Sequence, residues 1–286
     1  MMIAITGSSG LLGSSFTSFF SKKNKNFFTV NRKDYSPEIP ISKVVDYFES
    51  RKTSIIIHCA ANTNVELCEK NEEKCLYDNY ELTKVLTKVC KKLNIKLIFI
   101  SSTGVYGNYK SNPYTEIDFP KPTTIYHKSK LFSEKMISKT LENYLIIRTG
   151  WLFGGTKNSS KNFVVNRLIE AKNSNGVIFS NLDQKGNPTY TDDLVKNIYS
   201  LININLSGLF NCVNKGNATR FEYVSEIIKI SKFPVIVKGV EKSNFNRKAN
   251  VSNNEMALNA SLAEIKLDQM PDWKSSLKKY VRSIKL

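Results

Sequence analysis

Short apolar runs alternate with stretches of helical periodicity through the first half of the chain. Met2–Thr6 reads as a strand, followed at once by a glycine turn and a helix over Leu11–Phe20. Phe27–Val30 makes a short second strand, and the continuously apolar Ser54–Cys59 suits a strand buried on both faces. A helix over Tyr80–Lys92, a strand over Leu97–Ser101, a helix over His127–Leu141 and a buried strand over Leu145–Arg148 continue the alternation. Strand, helix, strand in this order predicts an α/β fold, a doubly wound (Rossmann) parallel sheet. Beyond residue 150 the pattern breaks up. Loops containing Asn and Gly separate the shorter segments Phe163–Lys172, Asp192–Ile204, Phe221–Ile230 and Trp273–Ile284, which suggest a smaller C-terminal lobe.

Composition narrows the class. At 286 residues and 41% hydrophobic, the chain suits one large α/β unit or a main domain with a smaller lobe. No run approaches the length of a membrane span, and the N-terminus lacks the features of a signal peptide, so a cytoplasmic protein is expected. Five cysteines (Cys59, Cys68, Cys75, Cys90, Cys212) are an odd number at spacings that fit no zinc template; free thiols and no metal are expected. The net charge of +17 raises the question of nucleic acid. The basic residues are nevertheless scattered, many on polar helix faces such as Lys84, Lys88, Lys91 and Lys92, with no dense arm or aromatic-interleaved motif. No nucleic-acid partner is expected; attraction toward a phosphorylated small molecule is the more useful consequence. A homodimer remains open.

The first chemical motif is Thr6-Gly7-Ser8-Ser9-Gly10-Leu11-Leu12-Gly13, between a strand and a helix. Gly7 permits a tight turn, Gly10 lets the backbone approach a pyrophosphate, and Gly13 allows close helix–strand packing. Gly7, Ser9, Gly10, Leu11, Leu12 and Gly13 are therefore candidate cofactor-binding residues, with phosphates on the amide-rich helix end. At the end of the second strand, Asn31-Arg32-Lys33 stands where a carboxylate would hold the ribose of NAD. Arg32 suits a 2′-phosphate, which favours NADPH, while nearby Asp34 keeps NADH open. The expected division is a dinucleotide-binding domain over 1–150, with a returning segment near 190–213, and a substrate-binding lobe from 151–189 and 214–286.

Tyr126 and Lys130 lie four apart on a predicted helix and so share a face. There the ammonium can favour ionisation of the phenol and bring its pKa toward neutrality. A tyrosine tuned that way is a general acid or base for a carbonyl/alcohol interconversion. The spacing alone also fits an exposed face of a lysine-rich helix. The company it keeps decides between the two.

The glycine turn, Ser101-Ser102-Thr103-Gly104-Val105-Tyr106-Gly107 and Tyr126-x-x-x-Lys130 together resemble an extended short-chain dehydrogenase/reductase. Cys59-Ala60-Ala61-Asn62-Thr63-Asn64-Val65, Arg148-Thr149-Gly150-Trp151-Leu152-Phe153-Gly154, Asp183-Gln184-Lys185-Gly186-Asn187-Pro188-Thr189 and Met270-Pro271-Asp272-Trp273 narrow the similarity to the dTDP-4-dehydrorhamnose reductase family. The resemblance implies that Ser102 hydrogen-bonds a sugar carbonyl, with neighbouring Thr103 second in rank because it sits one residue out of register. Tyr126 would donate the proton, and Lys130 would bind the nicotinamide ribose. Ala60 and Ala61 would pass beside the cofactor, with Asn79 supporting the site. Thr63, Val65 and Trp151 fall where the family contacts the hexose, and Asn162, Gln184, Gly186 and Pro188 match its nucleotide-sugar lobe. The implied reaction is NADPH-dependent reduction of the C4 ketone of a nucleotide-linked 4-keto-6-deoxyhexose, in deoxysugar biosynthesis. Thr103-Gly104 replaces the Asp-Glu pair of the related dehydratases, which argues against water elimination. An epimerase or epimerase-reductase on the same scaffold, and a catalytically silent NADP-binding regulatory subunit, are the alternatives.

Overall fold

The computed structural model describes residues 1–284 except 156–158, 160, 242, 244 and 246. In chain order the first part comprises β1 (Met2–Thr6), α1 (Leu11–Lys22), β2 (Phe27–Val30), α2 (Ile41–Glu49), β3 (Thr53–His58), α3 (Val65–Lys70), α4 (Glu72–Leu76), α5 (Leu82–Leu93), β4 (Lys96–Ser102), α6 (Ile125–Thr140) and β5 (Tyr144–Thr149). The rest supplies β6 (Leu152–Phe153), α7 (Phe163–Asn173), β7 (Val177–Asn181), β8 (Lys185–Gly186), β9 (Thr189–Tyr190), α8 (Thr191–Asn203), β10 (Gly208–Asn211), β11 (Ala218–Thr219), α9 (Arg220–Ser231), β12 (Ile236–Val240), α10 (Ala260–Glu264) and α11 (Trp273–Ser283).

Six strands form one parallel sheet in the order β10-β5-β4-β3-β1-β2. Alternate residues of each strand face opposite sides, so an apolar run fills two cores at once. Ile3, Ile5, Ile57 and Ile147 meet α1 and α8 through Phe16, Phe20, Leu194 and Ile198. Ala4, Ile56, Leu97, Phe99 and Ile146 meet α2, α5 and α6 through Val44, Phe48, Leu86, Val89 and Ile137. The chain leaves β1 toward β2 and then crosses back to β3 on the other side. This reversal opens a crevice at the carboxyl ends of β1 and β3. A separate aromatic cluster of Phe153, Tyr190, Tyr223, Trp273 and Tyr280 holds the C-terminal elements together. Among the described residues no helix is long and apolar enough to cross a membrane.

Several elements differ from the sequence pattern. α2 and β10 were not expected: α2 is a nine-residue helix following Pro40, and β10 has four residues beginning at Gly208. The helix expected from Tyr80 starts at Leu82 instead. A π-turn over Tyr77–Glu81 precedes it and carries Asp78 and Asn79 inward, both buried.

One buried ion pair fastens α6 to the sheet. Arg148 on β5 donates from Nη2 to Glu134 Oε2 at 2.6 Å and from Nε to Oε1 at 3.0 Å; both side chains are almost fully buried. Ser101 on β4 donates to the same carboxylate. Removing one partner leaves the other charge buried and unpaired. Glu134→Ala is expected to cost about 3–5 kcal/mol in denaturant unfolding. A loss under about 1 kcal/mol, the scale of an exposed pair, would contradict this account.

Candidate functional site

The crevice is a cavity of about 700 Å³ lined from both parts of the chain. Its floor is the turn between β1 and α1, where Gly7, Ser9, Gly10, Leu11, Leu12 and Gly13 all face the opening. Gly7 adopts φ +66°, and a Cβ there would lie 2.6 Å from the Ala60 amide nitrogen. At Gly13 a Cβ would lie 2.1 Å from the Gly7 carbonyl oxygen. The turn thus closes on itself and on the loop after β3 with no room for side chains. Gly10 caps α1 without a side chain, leaving the helix's first amides open to the cavity. This backbone cradle is the geometry that an anionic pyrophosphate requires.

At the end of β2, Asn31 and Arg32 line the same cavity. The Arg32 guanidinium pairs with buried Asp78 at 2.8 Å yet keeps 47% of its side chain exposed. Asp34, in contrast, turns back on its own loop and accepts from the Asn31 amide at 2.9 Å. It does not line the cavity.

Ala60, Ala61 and Thr63 form the adjoining wall. Asn79 lies behind them, buried: its Oδ1 accepts from the Asn62 amide at 2.7 Å and its Nδ2 donates to the Asn62 carbonyl at 3.1 Å. His58 beneath joins Thr6 at 2.7 Å and Thr83 at 3.0 Å. Burial foremost lowers its pKa to about 3, so this imidazole is neutral and structural. Across the mouth, Lys161 reaches Thr63 Oγ1 at 3.0 Å.

Ser102 ends β4 and faces the cavity together with Tyr126 and Lys130 on α6. Its Oγ accepts from the Gly104 amide at 3.2 Å, leaving its hydroxyl proton available. Thr124 caps α6 by accepting from the His127 amide at 3.2 Å, which places Tyr126 in the first turn. The electrostatics differ from the sequence expectation. The Tyr126 pKa is raised, by burial first, with Cys68, Cys75 and Glu255 adding to the effect. Lys130 does not offset this: its ammonium donates to the Ile100 carbonyl at 2.8 Å and lies 4.5 Å from the Phe99 ring centre. Burial lowers Lys130 itself to about 8. Both side chains line the cavity, but burial rather than the ammonium sets the direction of the Tyr126 shift.

Several expected residues lie outside the cavity lining. Thr103 is buried behind Ser102, and Val65 packs beneath Tyr126 in the small cluster with Cys68 and Cys75. Asn162 is fully buried; its Nδ2 donates to the Gly154 carbonyl at 3.1 Å and to Tyr280 Oη at 2.6 Å, tying α7 to α11. Gln184 and Pro188 are buried, and Gly186 lies beneath Trp151, where a Cβ would meet the indole at 2.4 Å. These four shape the lobe without facing its opening. Trp151 does line the cavity, alongside Phe163, Lys161 and Arg220, which the sequence pattern had not marked. Thr219-Arg220-Phe221-Glu222 is a legible helix capping box, but nothing local shows where Arg220 points.

A family model described as RmlD substrate binding domain matches residues 1–286. The chain belongs to this family. Curated relatives include a dTDP-4-dehydrorhamnose reductase of Mycobacterium tuberculosis, 25% identical over 283 residues, covering 96% of this chain and 90% of the relative. Solved structures of dTDP-4-dehydrorhamnose reductases superpose closely. That from Clostridium acetobutylicum is 28% identical with a TM-score of 0.92, over 99% of both chains. That from Bacillus anthracis, in complex with NADP, is 27% identical with a TM-score of 0.92, also over 99% of both.

Within this family scaffold, Gly104 and His127 occupy one space. A Cβ on Gly104 would lie 2.2 Å from His127 Nε2, and the imidazole is pinned by Thr124 Oγ1 at 2.8 Å. Gly104→Ala is expected to destabilise by about 1–3 kcal/mol through overpacking. The same change in a His127→Ala background should cost much less, a coupling read from a double-mutant cycle by thermal unfolding. Additive losses would show that the two residues do not compete for the space.

Proposed function

We propose that this protein reduces the C4 ketone of a nucleotide-linked 4-keto-6-deoxyhexose with NADPH. The observation that carries the reading is the convergence of Ser102, Tyr126 and Lys130 on the cavity floored by the glycine turn. The named activities of the relatives point the same way. The carboxylate of Asp34 is committed to its own backbone, whereas Arg32 offers guanidinium donors to the cavity. That contrast favours the 2′-phosphate of NADPH over the free ribose hydroxyls of NADH. Gly7, Ser9, Gly10, Leu11, Leu12 and Gly13 would hold the pyrophosphate, with Asn31 and Arg32 at the adenosine end and Ala60 and Ala61 along the wall. Asn79 supports that wall by fixing Asn62. The structural division that suits this chemistry is a cofactor domain over 1–150 with 190–213, and a sugar-binding lobe over 151–189 and 214–286.

The cofactor supplies the hydride when bound. The chain's own part is proton transfer and charge stabilisation. Because burial keeps the Tyr126 phenol protonated at neutral pH, it is poised as a donor, the state that reduction of a carbonyl requires. Ser102 offers a hydroxyl proton to oxygen on which negative charge develops. Lys130, with its ammonium anchored on the β4 backbone, holds positive charge beside the phenol and offers its remaining donors to a ribose. Thr63 and Trp151 would flank the hexose.

Tyr126→Phe tests this directly. Turnover of a 4-keto sugar nucleotide, followed by NADPH absorbance, should fall about a hundredfold or more, with NADPH affinity nearly intact. Loss of NADPH binding in that variant would instead make the tyrosine structural.

A further inference from the structure

We infer that Arg220 is the anion-recognition residue of the substrate half of the cavity and binds the diphosphate of the nucleotide sugar. The inference rests on the reading of the substrate as a nucleotide-linked sugar. Arg220 lines the same cavity as Tyr126 and Lys130, at the end formed by the C-terminal elements. Its guanidinium lies flat over the Trp151 indole, 3.5 Å from the ring centre, and 5.1 Å from the Phe163 ring centre. Among the described residues no carboxylate comes within ion-pair distance of it, and no side-chain or carbonyl oxygen accepts from it. The nearby acid is committed elsewhere: Glu255 accepts from Trp151 Nε1 at 2.7 Å.

The surroundings fix the position of this cation without pairing it directly to a carboxylate among the described residues. Trp151 is held at φ +48°, a conformation unfavourable for a bulky residue, with Gly186 beneath the ring and Glu255 at its edge. The indole is therefore a rigid platform, and stacking on it costs the guanidinium none of its in-plane N–H donors. Burial, with Arg247 and Arg167 adding to it and Glu255 opposing, lowers the Arg220 pKa to about 10. A partly desolvated cation without a direct ion-pair partner is relieved by an incoming anion. The planar fork matches two phosphate oxygens, and Lys161 adds a second cation at the mouth. In the proposed substrate the diphosphate is the charged group that such a fork would meet. The sugar would then extend from Arg220 across Trp151 toward Tyr126.

The test is calorimetric titration of the NADP-loaded protein with dTDP, UDP and thymidine, in wild type, Arg220→Met and Arg220→Lys. Met preserves apolar contact with Trp151. The expected result is nucleoside diphosphate binding weakened about ten- to a hundredfold by Arg220→Met, less by Arg220→Lys, with thymidine and NADPH affinities unchanged. Equal dTDP affinity in wild type and Arg220→Met overturns the inference, as does failure of wild type to bind either nucleoside diphosphate. A loss of NADPH affinity matching that for dTDP would assign the cation to the cofactor and overturn it as well. Because binding is read without turnover, diphosphate recognition can stand where ketone reduction fails. Conversely, an active enzyme whose KM for the sugar nucleotide is unmoved by Arg220→Met would sink this inference alone.

Discussion

The site depends on how α6 is held against the sheet. Tyr126 and Lys130 sit on one helix, whereas the glycine cradle and Ser102 belong to strand ends. Their mutual position is set by a carboxylate, Glu134, buried between Arg148 of β5 and Ser101 of β4. An ion pair this deep contributes little net stability compared with apolar packing of the same volume. It supplies register instead: Glu134 meets its partners only when α6 has one rotation and one height. Lys130 extends the same logic by donating to the backbone of Ile100, two residues before Ser102.

The burial that fixes the helix also sets the protonation states. Tyr126 is kept protonated and Lys130 loses part of its hold on its proton, both chiefly through desolvation. The cavity therefore holds a proton donor, suited to a reductive direction. Around it the positive groups divide the space between them. Arg32, paired with buried Asp78, marks one end, Lys130 the middle, and Arg220 the other; of the nearby acids, Asp34 is turned to a backbone amide and Glu255 to an indole.

Much of the fold was legible because it is carried by uninterrupted apolar runs. β1, β3, β4 and β5 appear within a residue or two of their expected places. β10 escaped because four residues opening with glycine carry no periodicity, and its place in the sheet is created by β5 alone. The glycine turn was legible because its glycines answer to local backbone geometry. The C-terminal lobe was not, because polar residues there serve two purposes that sequence cannot separate. Asn162 caps a helix and ties it to Tyr280, while Arg220, inconspicuous behind a capping threonine, reaches the cavity through packing on Trp151. The Tyr126–Lys130 spacing put both residues on the cavity, but burial, a property of the folded core, reversed the expected pKa effect.

The most direct measurement is isotope transfer. The protein would be incubated with dTDP-4-dehydrorhamnose and NADPH deuterated at the reactive nicotinamide carbon, and the product examined by mass spectrometry and NMR. One deuterium at C4 of the sugar is expected for each NADPH oxidised. Deuterium appearing elsewhere on the sugar, or no NADPH consumption with any dTDP-, GDP- or UDP-linked 4-keto sugar, would contradict it.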